Sequence, residues 1–255
     1  MTNPYDSTFY TQLNTQTSRS AELILGLLYR YVQPQSVVDV GCGQGVWLAA
    51  AEAQGTKVLK GLDGSWVNPD QLASGQIDFQ SINFEGVLPP LKQTYDLCIS
   101  LEVAEHLSAA QAPSFIQFLC QAANLVLFSA AVKHQGGTHH INEQWQSYWV
   151  ALFANTGYDC LDIIRPQIWQ NPDVAWYYQQ NMFVFFNRAH PPAQLMALQA
   201  LSKPIFDLAH PLSYEAKVRA YQKTVTYHES LIAAPPLRFC LGCLKRWFLH
   251  KASFK

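Results

Sequence analysis

The segment SVVDVGCGQGVWLAAAEAQG, residues 36–55, constrains the fold of this chain more than any other. A β-branched run (36–40) passes through Gly41, Gly43 and Gly45 directly into an alanine-rich stretch (46–55) that closes on Gly55. A buried strand, a tight turn and a helix in immediate succession form the unit from which parallel sheets are built. Further strands are expected at 57–63, 76–83, 95–100 and 124–132, with a helix at 112–123 between the last two. Upstream, Ile24, Leu27, Leu28 and Tyr31 recur at i, i+3, i+4 and i+7, so 18–32 reads as an amphipathic helix that Pro34 stops. Strands at 158–164 and 182–187 enclose an aromatic-rich excursion, 165–181. Strands alternating with helices imply an α/β fold, a sheet with helices on both faces. From residue 190 onward the chain reads as added helices, which divides it into an α/β domain, 1–189, and a helical appendage, 190–255.

Bulk properties exclude several classes. Net charge is −1, so no overall basic field recruits nucleic acid. The start lacks a basic segment followed by an apolar run, and no window approaches the roughly 18 apolar residues of a membrane span, so a cytoplasmic location is expected. Six cysteines lie scattered in apolar surroundings and are expected to be reduced. Cys240 and Cys243 form a C-x-x-C pair with no second pair to complete a zinc site.

In a doubly wound fold the glycine turn lies at the carboxyl edge of the sheet, where ligands bind. Asp63 closes the next strand, where a carboxylate can accept both hydrogen bonds of a ribose diol. The spacing is G-x-G-x-G, with Val46 where a dinucleotide fingerprint has glycine or alanine, which argues against the first alternative, an NAD(P) oxidoreductase. D-V-G-C-G-Q-G together with Asp63 resembles the cofactor site of class I S-adenosylmethionine-dependent methyltransferases, over roughly Ser18 to Asn187. The resemblance implies a Rossmann-like sheet of about seven strands, mostly parallel with the last antiparallel. It also implies S-adenosylmethionine as cofactor, with Asp39 and Gly41 near the methionyl amine, Asp63 on the ribose, and Asn83 with Phe84 around the adenine. Cys42, Gly43, Gly45, Gly64 and Leu101 complete the expected cofactor set. The family more often has aspartate where Asn83 stands, and an amide oxygen can accept the same hydrogen bond.

A second constellation follows the fourth strand. ISLEVAEHL (99–107) carries Glu102, Glu105 and His106, which converge if the segment is helical. The strand at 124–132 runs into AVKHQGGTHHINEQW (131–145), a polar loop with three histidines. The family's sheet order sets these two strands side by side, which brings loop and carboxylates together. Glu102, Glu105, His106 and His140 are then candidate ligands of a divalent cation, magnesium, manganese or zinc. E-x-x-E-H is similar to the metal-binding stretch of ubiquinone-type O-methyltransferases and of small-RNA 2′-O-methyltransferases. G-G-T-H-H-I-N-E-Q-W-x-S-Y-W resembles a bacterial subgroup associated with sugar or secondary-metabolite tailoring. Only one of two adjacent histidines in an extended loop points inward, and His140 is expected to be that one, with His139 as substitute. Histidine titrates near neutrality, so without a metal His140 is suited to act as general base. His134 is expected to be solvated, and Glu143 to sit in the first turn of a helix capped by Asn142, with no catalytic part.

The expected reaction is methyl transfer to a hydroxyl of a small molecule, a sugar or another glycan acceptor, or a secondary metabolite. Ribose 2′-O-methylation of RNA is the second alternative. Base-amino methylation is disfavoured, since its [DNS]-P-P-[YF] motif is replaced by S-L-E-V at 100–103. Tyr5, Phe9 and Tyr10 are candidate lid residues, and Trp169, Trp176, Tyr177 and Tyr178 candidate walls of an acceptor pocket. The end, 237–255, sets five cationic residues and no acidic one among Leu, Phe and Trp, a composition suited to peripheral contact with an anionic membrane. Oligomeric state leaves no mark in the sequence.

Overall fold

Successive residues of a strand face opposite sides of a sheet, and here both sides are apolar. In the computed structural model, which describes residues 7–199 and 206–252, strands β1 (Ser36–Val40), β2 (Val58–Asp63), β3 (Ile77–Ser81), β4 (Leu97–Leu101), β5 (Leu125–Ser129), β6 (Tyr158–Leu161) and β7 (Phe183–Asn187) form one sheet. Its order is β3-β2-β1-β4-β5-β7-β6, with β7 antiparallel to both neighbours and the other pairings parallel. This is the Rossmann-like methyltransferase fold that the resemblance implies.

Val37, Leu97, Ile99, Leu125 and Leu127 face a core shared with helices α1 (Ser7–Leu28) and α2 (Val46–Ala53), where Ile24, Leu25, Leu28 and Leu48 are fully buried. Val38, Val40, Cys98, Val126 and Phe128 face the opposite core, under α3 (Ala112–Ala122) and α4 (Gln146–Asn155). There Phe153 stacks on Phe185 with ring centroids 3.8 Å apart. The strand order reverses between β1 and β4, and the crevice at their carboxyl ends is where ligands of such sheets bind.

The chain divides into two compact units, Met1–His210 and Pro211–Lys255. The aromatic-rich excursion folds as α5 (Arg165–Ile168) and α6 (Trp176–Asn181), and α7 (Ala193–Gln199) follows β7. Of the stretch expected with the appended helices, Leu195 and His210 lie in the first unit: Leu195 is fully buried, and His210 N–H donates to Gln180 Oε1 at 2.6 Å. The second unit holds α8 (Pro211–Ala233) and α9 (Leu237–Ala252). Among the described residues, no helix is long and apolar enough to cross a membrane. Tyr5 lies outside the described residues, as do the side chains of Phe9 and Tyr10.

One helix start differs from expectation. α4 begins at Gln146 with Trp145 at its cap, because Ile141 N–H and Asn142 N–H donate to the Glu105 carbonyl at 2.9 and 3.0 Å. Asn142 is therefore held flat against the loop after β4 and cannot cap the helix, and Glu143 lies in the loop instead of a first helical turn.

Candidate active site

Gly41, Gly43 and Gly45 all adopt positive φ (89°, 52° and 75°), a backbone that glycine adopts without strain. At Gly41 a Cβ would lie 2.3 Å from Val103 Cγ2, so the absent side chain also lets the loop after β4 close onto the turn. Gly41 N–H donates to Leu62 O at 2.7 Å, which ties the turn to the end of β2. Asp63 is then gripped by two peptide groups, Gly43 N–H at 2.7 Å and Gly64 N–H at 2.6 Å, and its remaining lone pairs face the crevice it lines. Asp39 is buried, and its Oδ2 has no hydrogen-bond partner. Burial first, and the Asp63 charge second, hold its pKa well above the ordinary carboxylate range. Such a group requires a cationic or donor partner.

The crevice beside Asp63 has a volume of about 480 Å³. Gly41, Asn83 and Phe84 line it together with Trp66, which the sequence reading did not single out. Trp66 is 80% exposed, and its ring occupies the space a side chain on Gly64 would need. An aromatic three residues after the strand-ending acid was the only available signal. Asn83 Oδ1 accepts from Glu85 N–H at 3.0 Å, so one of its lone pairs is already used by its own turn. Phe84 is buried edge-on to Phe115, Leu101 is buried at the end of β4, and burial pushes the Cys42 thiol pKa up.

Across the crevice stand the loops after β4 and β5, strands that pair in parallel register. Glu105, His106 and His140 come together, each offering a ligand atom within 4.8 Å of the others. Glu105 is fully buried, no side chain donates to either oxygen, the backbone N–H groups of Glu105 itself and Ala131 act to lower its pKa, and His140 Nε2 lies 4.0 Å from Oε1. Burial, followed by the charge of Glu102, holds its pKa well above the ordinary range. His140 Nδ1 lies 2.9 Å from Glu143 Oε1. A carboxylate only accepts, so Nδ1 carries a proton, and it is Nε2 that faces Glu105. His106 Nδ1 lies 3.3 Å from the His139 carbonyl, which sets the same tautomer. Desolvation, then the charge of His140, lowers the pKa of His106 and keeps that ring neutral.

Glu143 is the second residue the sequence reading missed. It accepts from both His140 and Gly136 N–H, the latter at 2.6 Å, and so folds the glycine loop around the imidazole. Gly137 is needed there because a Cβ would meet the His140 ring at 2.3 Å.

Glu102 does not join the other three. Its φ is +55°, which breaks the helical turn and sends the carboxylate to Asn181 Nδ2 at 3.1 Å and Gln135 Nε2 at 3.2 Å. Burial raises its pKa against those hydrogen bonds, and it lines the crevice. The histidine loop is not extended either: His139 has φ +59°, and it is His139 that lines the crevice while His140 packs behind it. His134 is exposed. The aromatic excursion largely packs inward, Tyr178 edge-on to Trp47 at 5.2 Å and Trp169 against His210 at 4.7 Å.

A family model described as a methyltransferase domain matches residues 14–171. The chain belongs to that family, and its sheet is that of the class I S-adenosylmethionine-dependent methyltransferases. Solved structures with the same fold include the methyltransferase domain of bacterial CtHen1-C, with TM-score 0.50 and 19% identity over 68% of this chain and 98% of that one. An O-methyltransferase family protein from Burkholderia thailandensis gives TM-score 0.52 and 12% identity over 72% of this chain, which spans only 60% of that protein. Magnesium protoporphyrin IX methyltransferase from Synechocystis PCC 6803, solved with bound S-adenosylmethionine, gives 0.51 and 16% over 73% and 86%. No curated protein matches the sequence significantly.

Proposed function

We infer that this chain is an S-adenosylmethionine-dependent O-methyltransferase acting on a hydroxyl of a small molecule, sugar or secondary metabolite, with a divalent cation at Glu105, His106 and His140. The observation that carries the reading is Glu105: a fully buried carboxylate to which no side chain donates, with a ligand atom of each of two imidazoles, His106 and His140, within 4.8 Å. A buried acid in that state is costly unless something cationic completes it. Two imidazoles and one carboxylate suit manganese or zinc better than magnesium, and open positions would remain for water or acceptor oxygens.

The cofactor corner fits its group on equally specific grounds. Asp39 supplies the unpartnered buried carboxylate that an ammonium would satisfy, Asp63 supplies preorganised lone pairs for a diol, and Gly41 keeps the backbone bare. When bound, S-adenosylmethionine supplies an electrophilic methyl on sulfur, and a divalent cation supplies Lewis acidity to a coordinated hydroxyl. The chain's own residues do the rest. Glu143 holds the His140 ring, Asn181 and Gln135 hold Glu102 at the crevice wall, and Trp66 covers the cofactor side. Positioning of this kind supplies about 7–11 kcal/mol of barrier reduction.

A second reading keeps the methyl transfer and drops the metal. It is favoured by His139, which reaches the crevice on a left-handed backbone and can take the acceptor's proton directly. The resemblance of G-G-T-H-H-I-N-E-Q-W to a tailoring subgroup supports a small acceptor, as does the near-neutral charge, which offers RNA little attraction. Calorimetric titration with magnesium, manganese and zinc decides between them. Wild type is expected to bind manganese or zinc and to lose activity in EDTA, while Glu105→Ala and His140→Ala bind neither metal yet retain S-adenosylhomocysteine affinity. Absence of metal binding by wild type, with activity unchanged in EDTA, would leave the His139 reading.

A further inference from the structure

The helix α9, LRFCLGCLKRWFLHKA, belongs to the second unit and presents a surface of a different kind. At 3.6 residues per turn, Leu237, Leu241, Leu244 and Trp247 recur at i, i+4, i+7 and i+10 and fall in one stripe about 120° wide. All four are exposed, Leu237 at 75%. Arg238 and Lys245 lie along one edge of the stripe and Arg246 behind it, Lys251 falls at the stripe's C-terminal end, the exposed Phe239 and Leu249 lie outside the stripe, and the helix contains no aspartate or glutamate. The preceding helix makes the contrast. In α8 the cations Lys217, Arg219 and Lys223 lie between Glu215 and Glu229, and Arg219 is paired with Glu215 at 3.3 Å. The cations of α9 have no acid on their own helix to pair with.

An apolar stripe with a tryptophan, flanked by uncompensated cations on a helix too short to span a bilayer, is the surface of a helix that lies in the plane of a membrane interface. Its length, about 24 Å, is laid parallel to the surface, with leucines among the acyl chains and arginine and lysine at the phosphates. We propose that α9 is a peripheral anchor that binds anionic phospholipid bilayers. A nucleic acid would match the charge and leave the leucine stripe in water. A second copy of the chain would match the stripe and bring like charges together.

The proposal is independent of the chemistry in the crevice. Its test uses the full chain in flotation with vesicles of phosphatidylcholine alone or with phosphatidylglycerol added. Wild type is expected to float with the anionic vesicles, to float weakly with the neutral ones, and to be released by added salt. Leu241→Glu/Leu244→Glu is expected to weaken binding more than about a hundredfold. Arg238→Gln, Lys245→Gln and Arg246→Gln should each weaken it about fivefold, on anionic vesicles only. Unchanged S-adenosylhomocysteine affinity in every variant establishes that the first unit is intact. Failure of wild type to float, or flotation of Leu241→Glu/Leu244→Glu equal to wild type, overturns the proposal. So does a wild type that ignores vesicles but loses a dimeric mass in the double variant, which would assign the stripe to a second copy, or that ignores vesicles and retains single-stranded RNA.

Discussion

On the β1 side of the crevice the left-handed backbone positions fall on Gly41, Gly43 and Gly45; on the β4 side they fall on Glu102 and His139 at the crevice wall, with His134 and Gly136 in the same loop away from it. The first set presents bare peptide groups to whatever lies there. The second forces side-chain-bearing residues into a conformation that costs about 1–2 kcal/mol each and keeps their side chains at the crevice wall. Polar satisfaction differs in the same way. Asp63 is gripped by two N–H groups at 2.6 and 2.7 Å, whereas no N–H group comes within that reach of Glu105 and burial raises its pKa. One side of the crevice is built to be approached by backbone, and the other is built to hold particular side chains at the expense of stability.

The contrast can be broken most severely at Gly41. Alanine there would meet Val103 and carry strain at φ +89°, so Gly41→Ala is expected to lose about 2–5 kcal/mol in denaturant unfolding together with cofactor affinity. Next comes Glu143→Gln, which keeps the loop's shape and weakens the orientation of His140. Manganese affinity is expected to fall 10–100-fold by calorimetry, with S-adenosylhomocysteine affinity unchanged.

Glu105→Gln sharpens the contrast in the metal-free chain. Because the folded state raises the pKa of Glu105, it holds that proton more tightly than the unfolded chain does. The associated stability is whole below the unfolded value and is lost as pH rises through the raised one. Glutamine stays neutral throughout, so in EDTA at mildly alkaline pH the variant is expected to be about 1–3 kcal/mol more stable than wild type. The gap should close as pH falls toward the ordinary carboxylate range. The smallest effect is expected at His139→Gly, which relieves a positive φ at an exposed residue: a gain of about 1 kcal/mol in thermal unfolding with a loss of turnover.

The β1 side was legible in the sequence because its logic is local. Strand, glycines and helix are contiguous, and Asp63 closes the very next strand. On the β4 side, the residue types were legible and the roles were not. Glu102, Glu105 and His106 look convergent at helical spacing, but the left-handed turn at Glu102 sends its carboxylate to Asn181, 79 positions away. Glu143 was read as a helix-start residue because nothing nearby shows that the Glu105 carbonyl, far back in the chain, holds Ile141 and Asn142 outside the helix. Non-local hydrogen bonds decided both outcomes, and a periodic pattern carries no information about them. His140 meets Glu105 and His106 as expected, while His139, on a left-handed backbone, lines the crevice as well.

The loops after β4 and β5 are stitched together by main-chain bonds, Glu102 N–H to Ser129 O at 3.0 Å and Ile141 and Asn142 N–H to Glu105 O, and by the His106 side chain, whose Nδ1 meets the His139 carbonyl. Because these stitches do not depend on which acceptor is bound, the two segments behave as a single cassette. Exchanging selectivity between relatives would therefore require transplanting 102–107 and 131–145 as a matched set, and a chimera carrying one without the other would inherit mismatched seams.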